Sequence, residues 1–122
     1  MRALIVDDSR FARKYVRGLL EEDGIDCEEA ANAEGGMERL RSAKPFDVVL
    51  VDWNMPAVSG LDLVKRVRHA GYNTIKLMMV TGETERDAIA YALEAGADEY
   101  LMKPFDADAL RDKLVLLGLS RD

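Results

Sequence analysis

Four segments of this 122-residue chain, rich in apolar residues, end abruptly in groups that can do chemistry. Ala3-Leu4-Ile5-Val6 runs into Asp7-Asp8, Val48-Val49-Leu50-Val51 into Asp52, Lys76 to Val80 into Thr81, and Asp98 to Met102 into Lys103-Pro104. In open α/β sheets the working site lies beyond the carboxyl ends of the strands. On that rim three carboxylates, a hydroxyl and an ammonium would converge. Carboxylates that close repel one another, and each holds its proton unless a cation lies between them. Oxygen donors without His or Cys select a hard ion such as Mg²⁺, which keeps several waters and usually completes its shell with phosphate. The metal therefore implies a phosphoryl substrate. Lys103 suits the same chemistry, pairing with a carboxylate at rest and neutralising a phosphoryl oxygen later. Any one of these acids alone reads as a helix cap or a surface charge, but five such groups at strand ends do not. Spacing leaves open which acid is the nucleophile.

The elements that must position these groups follow from periodicity. Strands are expected at Ala3 to Val6, Ile25 to Ala30, Val48 to Val51, Lys76 to Val80 and Asp98 to Met102. Between them lie helical stretches with start and stop signals. Ser9 caps a helix carrying Phe11, Tyr15, Val16, Leu19 and Leu20 that stops at Gly24, and Asn32 caps a second with Met37 and Leu40 inward. Gly35-Gly36 weakens that second helix's first turn, and no phosphate-loop motif follows it. Ser59 with Asp62, and Thr84 with Asp87, open a third and a fourth; Asp106 caps the last, with Leu110, Leu114 and Leu117 as its stripe. Strand and helix alternate five times, which implies a parallel sheet covered by helices on both faces. The first and third strands are near-continuous apolar runs and belong at its centre.

Composition bounds the rest. The length suits one domain, residues 1–122, and a hydrophobic fraction of 48% with 33% charged residues is that of a globular chain. No apolar stretch approaches the roughly 20 residues of a membrane span, and Asp7-Asp8 interrupts the first apolar run too soon for a leader peptide, so the expected location is the cytoplasm. Cys27 is the only cysteine and reads as packing. A net charge of −6 disfavours nucleic acid. Arg10, Arg13, Lys14 and Arg17 share one helical face, which either guides an acidic partner or is simply solvated.

The chain resembles the receiver domains of two-component response regulators. The likeness runs through Val6-Asp7-Asp8-Ser9, Val51 to Gly60, Val80-Thr81-Gly82 and Ala95 to Phe105, and so spans essentially the whole chain. Within the family it is most similar to stand-alone chemotaxis receivers, sharing Trp53 after the acceptor, Asn54 two beyond it and Glu83 two beyond the threonine. The resemblance implies a flavodoxin-like (βα)5 fold with strand order 2-1-3-4-5. It makes Asp52 the phosphorylated nucleophile, supplied by a histidine kinase, a phosphotransfer protein or a small donor such as acetyl phosphate. It gives Mg²⁺ to Asp7, Asp8, Asp52 and the Asn54 carbonyl, catalysis also to Lys103 and Thr81, and a conformational switch to Thr81 and Tyr100. Asn54 and Glu83 would tune hydrolysis toward a short-lived signal, and Lys103-Pro104 would be a cis peptide.

By the same resemblance the domain catalyses its own modification as a switch rather than as a turnover enzyme. Its output would leave through the fourth helix, fifth strand and fifth helix, to a target protein or, on phosphorylation, a second copy. Val115, Leu116 and Leu119 lie off the last helix's stripe and are expected either to meet such a partner or to pack down. The chain could equally be the receiver half of a larger, for example transcriptional, regulator. Three other classes fit less well. A phosphatase with an aspartyl nucleophile wants a second Asp where Asn54 stands, a flavin carrier wants a Ser/Thr/Gly-rich loop where Asp7 to Phe11 stands, and a pseudo-receiver would not keep the acid set. His69, at the end of the third helix, reads as a cation suited to the helix dipole, and the six methionines read as core filling.

Overall fold

The computed structural model describes residues 1–42, 44–55, 57–82 and 86–119. Along the chain run β1 (Arg2–Val6), α1 (Arg10–Glu22), β2 (Asp26–Ala30), α2 (Ala33–Leu40), β3 (Val48–Asp52), α3 (Gly60–His69), β4 (Lys76–Thr81), α4 (Arg86–Ala95), β5 (Glu99–Met102) and α5 (Ala107–Leu116). The strands form one five-stranded sheet in the order β2-β1-β3-β4-β5, each neighbouring pair parallel. The expected doubly wound fold is therefore present, with β1 and β3 inside it. Two of the site groups differ slightly from expectation. Asp52 and Thr81 are the last residues of β3 and β4 rather than the first beyond them, because Asp52 still pairs with Val80 and Thr81 with Met102.

Alternation along the central strands divides the core. Leu4 and Val6, Val49 and Val51, and Leu77 and Met79 point to one side, where Met37, Leu40, Leu63, Val64, Val67 and Ala92 come from α2, α3 and α4. Ala3 and Ile5, Val48 and Leu50, and Met78 and Val80 point to the other, against Val16 and Leu20 of α1 and Leu110 and Leu114 of α5. Each buried Leu, Val, Ile or Met stabilises the fold by about 1.5–3 kcal/mol. Met37, Met55, Met78 and Met79 are all buried, so these methionines do fill core. Cys27 is buried too, and burial first of all pushes its thiol up to about 11, far from a reactive thiolate.

The helix starts follow the expected caps. Ser9, Asn32, Ser59 and Asp106 accept hydrogen bonds from the N–H groups of Ala12, Gly35, Asp62 and Ala109. Thr84, the expected cap of α4, lies outside the described residues, while Asp87 stands in that helix's first turn. Gly36 has a packing role: a Cβ there would meet Val6 Cγ2 at 3.2 Å, so its absence lets α2 sit close against β1. His69 is the exposed last residue of α3, alongside Arg66 and Arg68 in the last turn. Among the described residues no helix is long and apolar enough to cross a membrane.

The basic face of α1 is neither free nor merely solvated. Arg13 Nε, Lys14 Nζ and Arg17 Nη1 all reach the Glu29 carboxylate on β2, at 3.0, 2.7 and 2.8 Å. Only Arg10 of the four belongs to the exposed surface without joining this cluster. Burial by itself would raise the Glu29 carboxyl, yet the hydrogen bonds from Lys14, Arg17 and Arg13 outweigh it and bring the group down to about 2. A depressed carboxyl stabilises the fold above its ordinary value of 4.5, and that stability is lost as pH falls toward about 2. Lys14 is half exposed, so water screens part of the attraction. Glu29→Gln is expected to cost about 2 kcal/mol at neutral pH and to flatten the acid limb of stability, measured by urea unfolding at several pH values.

Candidate functional site

The carboxyl ends of β1, β3 and β5 bring Asp7, Asp8, Asp52 and Lys103 together. One carboxylate oxygen from each of the three acids lies within 4.8 Å of the others. Asp7 and Asp52 are buried, whereas Asp8 is exposed. Asp52 is carried there by a strand of which every residue is buried, so its backbone has no freedom to retreat. Lys103 follows β5 directly; its N–H donates to the Thr81 carbonyl at 2.7 Å and its Nζ to Asp52 Oδ1 at 3.1 Å. The Lys103–Pro104 peptide is cis, as the motif implied.

The electrostatics of this rim are unfavourable without a cation. Burial first, then the nearby Asp52 and Asp8 charges, raise the Asp7 carboxyl, opposed by the Ser9 N–H and Lys103. The Asp52 carboxyl is also raised, chiefly by burial and further by Asp8; Lys103 and the backbone N–H of Asn54 pull the other way. Three carboxylates against one ammonium leave two negative charges over, the charge of one divalent ion. All the donors are oxygens, so the set fits Mg²⁺ better than a softer metal.

The remaining expected residues are arranged around this centre. Thr81 is buried at the end of β4, one residue beyond Val80, the register partner of Asp52, and its Oγ1 donates to the Gly82 carbonyl at 3.1 Å. Asn54 is exposed, and its N–H serves the Asp52 carboxylate. Tyr100 stands back from the rim, paired in register with Met79. Its ring is partly buried against the α2-α3-α4 side of the core, and Lys113 Nζ lies 4.1 Å from the ring centroid. Glu83, the other expected tuning residue, lies outside the described residues, as does Pro56.

Two supports were invisible in the strand-end pattern. Gly60, the first residue of α3, donates its N–H to the Trp53 carbonyl, and a Cβ on it would fall 2.4 Å from the Asp52 carbonyl oxygen. Arg13 donates from Nη1 to the Asp7 carbonyl at 2.7 Å. A Gly at the start of a helix and an Arg one turn into another were the only local signals, and neither names its distant partner.

The chain matches the response regulator receiver domain family over residues 3–115. It belongs to that family. Among curated proteins this receiver is 38% identical to the chemotaxis protein CheY1 of Helicobacter pylori, over 97% of this chain and 98% of that protein. It is also 38% identical to the chemotaxis protein CheY-3 of Vibrio cholerae, over 93% and 88%. Among solved structures, chemotaxis protein CheY4 of Vibrio cholerae superposes on the receiver with a TM-score of 0.87 at 32% identity, covering 95% of this chain and 97% of that one. The family is that of two-component signalling, and the acid cluster sits at the end of the sheet where the bare residues placed it.

Proposed function

We propose that this receiver accepts a phosphoryl group on Asp52 in a Mg²⁺-dependent reaction and so switches a partner protein, in chemotaxis-type signalling in the cytoplasm. The observation that carries the reading is Asp52 itself, buried on a rigid strand end with Lys103 Nζ at 3.1 Å and two more carboxylates beside it. A phosphorylated histidine of a kinase or phosphotransfer protein, or acetyl phosphate, is the donor. An Asp52 oxygen attacks phosphorus, the bond from phosphorus to the donor's nitrogen or oxygen breaks, and the leaving group departs with its electron pair. Lys103 orients the carboxylate through Oδ1 beforehand and meets the negative charge of the phosphoryl oxygens afterwards. Asp7, Asp8, Asp52 and the Asn54 carbonyl would hold Mg²⁺, which when bound supplies charge neutralisation at the transferred group.

Thr81 then turns its hydroxyl from the Gly82 carbonyl to a phosphoryl oxygen, and Tyr100 shifts inward in the same population change. Output through α4, β5 and α5 is supported by exposed apolar side chains: Tyr91 and Leu93 on α4, and Val115 and Leu116 on α5, the last two 57% and 69% exposed. Leu119 does not join them, since it packs against the α1-α5 side of the core. The receiver works there as a monomer or as a dimer formed on phosphorylation. Asn54 and Glu83 keep the phosphoryl group short-lived.

A second reading makes the chain the receiver half of a larger regulator. It draws on a two-component system response regulator/GGDEF domain protein, which this chain matches at a TM-score of 0.91 and 26% identity while covering 50% of that chain.

Trp53 reports on the site. It is the only tryptophan, it is half-buried, and it follows Asp52 directly. Its fluorescence is expected to change on adding Mg²⁺ and to change again with acetyl phosphate or beryllofluoride. A signal indifferent to all three would overturn the reading.

A further inference from the structure

We infer that Arg13 is a positioning residue for the paired acids Asp7 and Asp8, an inference that rests on reading their rim as a Mg²⁺ site. The ladder between β1 and β2 ends at Val6 opposite Ala30, so Asp7 lies just past the register that fixes the strand. Its N–H still reaches the Ala30 carbonyl at 3.1 Å, and one of its carboxylate oxygens accepts from the Ser9 N–H at 2.9 Å. The Asp7 carbonyl is held instead by a side chain, Arg13 Nη1 at 2.7 Å. The same guanidinium donates from Nε to Glu29 Oε1 at 3.0 Å.

This arrangement matters because the Asp7 carbonyl and the Asp8 N–H belong to one planar peptide unit. Fixing the carbonyl fixes the direction in which Asp8 leaves the chain, and Asp8 is the exposed member of the acid set. Mutual repulsion among the three carboxylates works to open that peptide outward. The guanidinium is a rigid planar fork, so one group sets the spacing between the Asp7 carbonyl and β2. The fork and its Glu29 partner are largely buried, with Arg13 at 15% and Glu29 at 11% side-chain exposure. Arg13 thus acts on the acids through the backbone, touching neither carboxylate. A lysine at this position has a single ammonium and cannot reproduce the fork.

Lys14 provides the control, because it meets the same Glu29 carboxylate at 2.7 Å from the neighbouring position. The test is Mg²⁺ binding by the full chain, followed by Trp53 fluorescence and by titration calorimetry, with urea unfolding beside it. Arg13→Met is expected to weaken Mg²⁺ binding about tenfold, the usual effect of removing an outer support of a metal ligand. Lys14→Met should lose part of the attraction to Glu29 yet shift the midpoint by less than about twofold, since it leaves Asp7 untouched. Arg13→Lys should stay weakened, and it carries the test should Arg13→Met not fold. Wild-type affinity in either Arg13 variant, or equal weakening in Arg13→Met and Lys14→Met, overturns the inference while leaving the metal site standing. A wild-type chain that binds no Mg²⁺ by either method removes both the metal-site reading and this inference.

Discussion

Asp52→Asn is expected to cut phosphoryl uptake from acetyl phosphate by about three orders of magnitude or more, because the amide is no nucleophile and no other acid occupies its place. Intact mass after incubation with acetyl phosphate and Mg²⁺ measures it directly. The same variant is expected to be more stable than wild type when no divalent ion is present. Burial holds the Asp52 carboxyl above its ordinary range, and the Asp8 charge adds to the strain; asparagine keeps the shape and drops the charge. Lys103, which loses its partner, is 41% exposed and can return to water. A functional residue that lowers stability is the common compromise at such sites. Uptake at the wild-type level in Asp52→Asn would move the nucleophile elsewhere. A loss of stability would mean that the Lys103 pair outweighs the burial of the carboxylate.

Gly60→Ala is expected to destabilise the fold by about 2–4 kcal/mol and to weaken Mg²⁺-dependent phosphoryl uptake with it. The added Cβ would stand 2.4 Å from the Asp52 carbonyl oxygen, 2.9 Å from Met79 Cε and 3.0 Å from Trp53 Cα. Met79 Cε is the end of a flexible side chain, but the other two are backbone. They cannot give way cheaply, because Asp52 is held in register with Val80 and the Trp53 N–H donates to the Val80 carbonyl at 3.0 Å. The collision therefore pushes on the residue proposed to carry the phosphoryl group. Gly18→Ala makes the comparison: it lies within α1, its Cβ would meet nothing within 4 Å, and alanine there should gain up to about 1 kcal/mol of stability. Urea unfolding of the two variants separates close packing from a general dislike of alanine. Wild-type stability in Gly60→Ala would show that α3 can move away from β3 at little cost.

Local pattern was enough to place the strands, the helices and the rim. Val48 to Val51 read as a doubly buried strand, and whatever followed it then had to stand at the sheet's carboxyl edge. That logic puts Asp52, Asp7-Asp8 and Lys103 together on one rim, and the three acids do meet within 4.8 Å with Lys103 on Asp52. Capping obeys the same locality, since Ser9, Asn32, Ser59 and Asp106 each serve an N–H three residues on. The family motifs added roles that spacing left open, above all which carboxylate attacks.

What local pattern could not show were interactions whose partners are set by packing. The α1 basic face read as solvated or as a guide for an acidic partner because its own partner, Glu29, sits on a different element; only the docking of α1 beside β2 brings three cations onto one carboxylate. Val115, Leu116 and Leu119 read alike in a helix-end pattern, yet the chain's turn after α5 packs the third, partly buried, against the core and leaves the first two outside. Tyr100 sits among the α4-side core under Lys113, a setting decided by β5's register with β4. The amino-acid sequence by itself determined the alternation of elements and the identity of the groups at the strand ends, because both depend on periods of two to four residues. The tertiary structure alone decided how those groups are held: Gly60 against the Asp52 carbonyl and Arg13 on the Asp7 carbonyl are contacts between elements, and such distances exist only after the sheet and helices have packed.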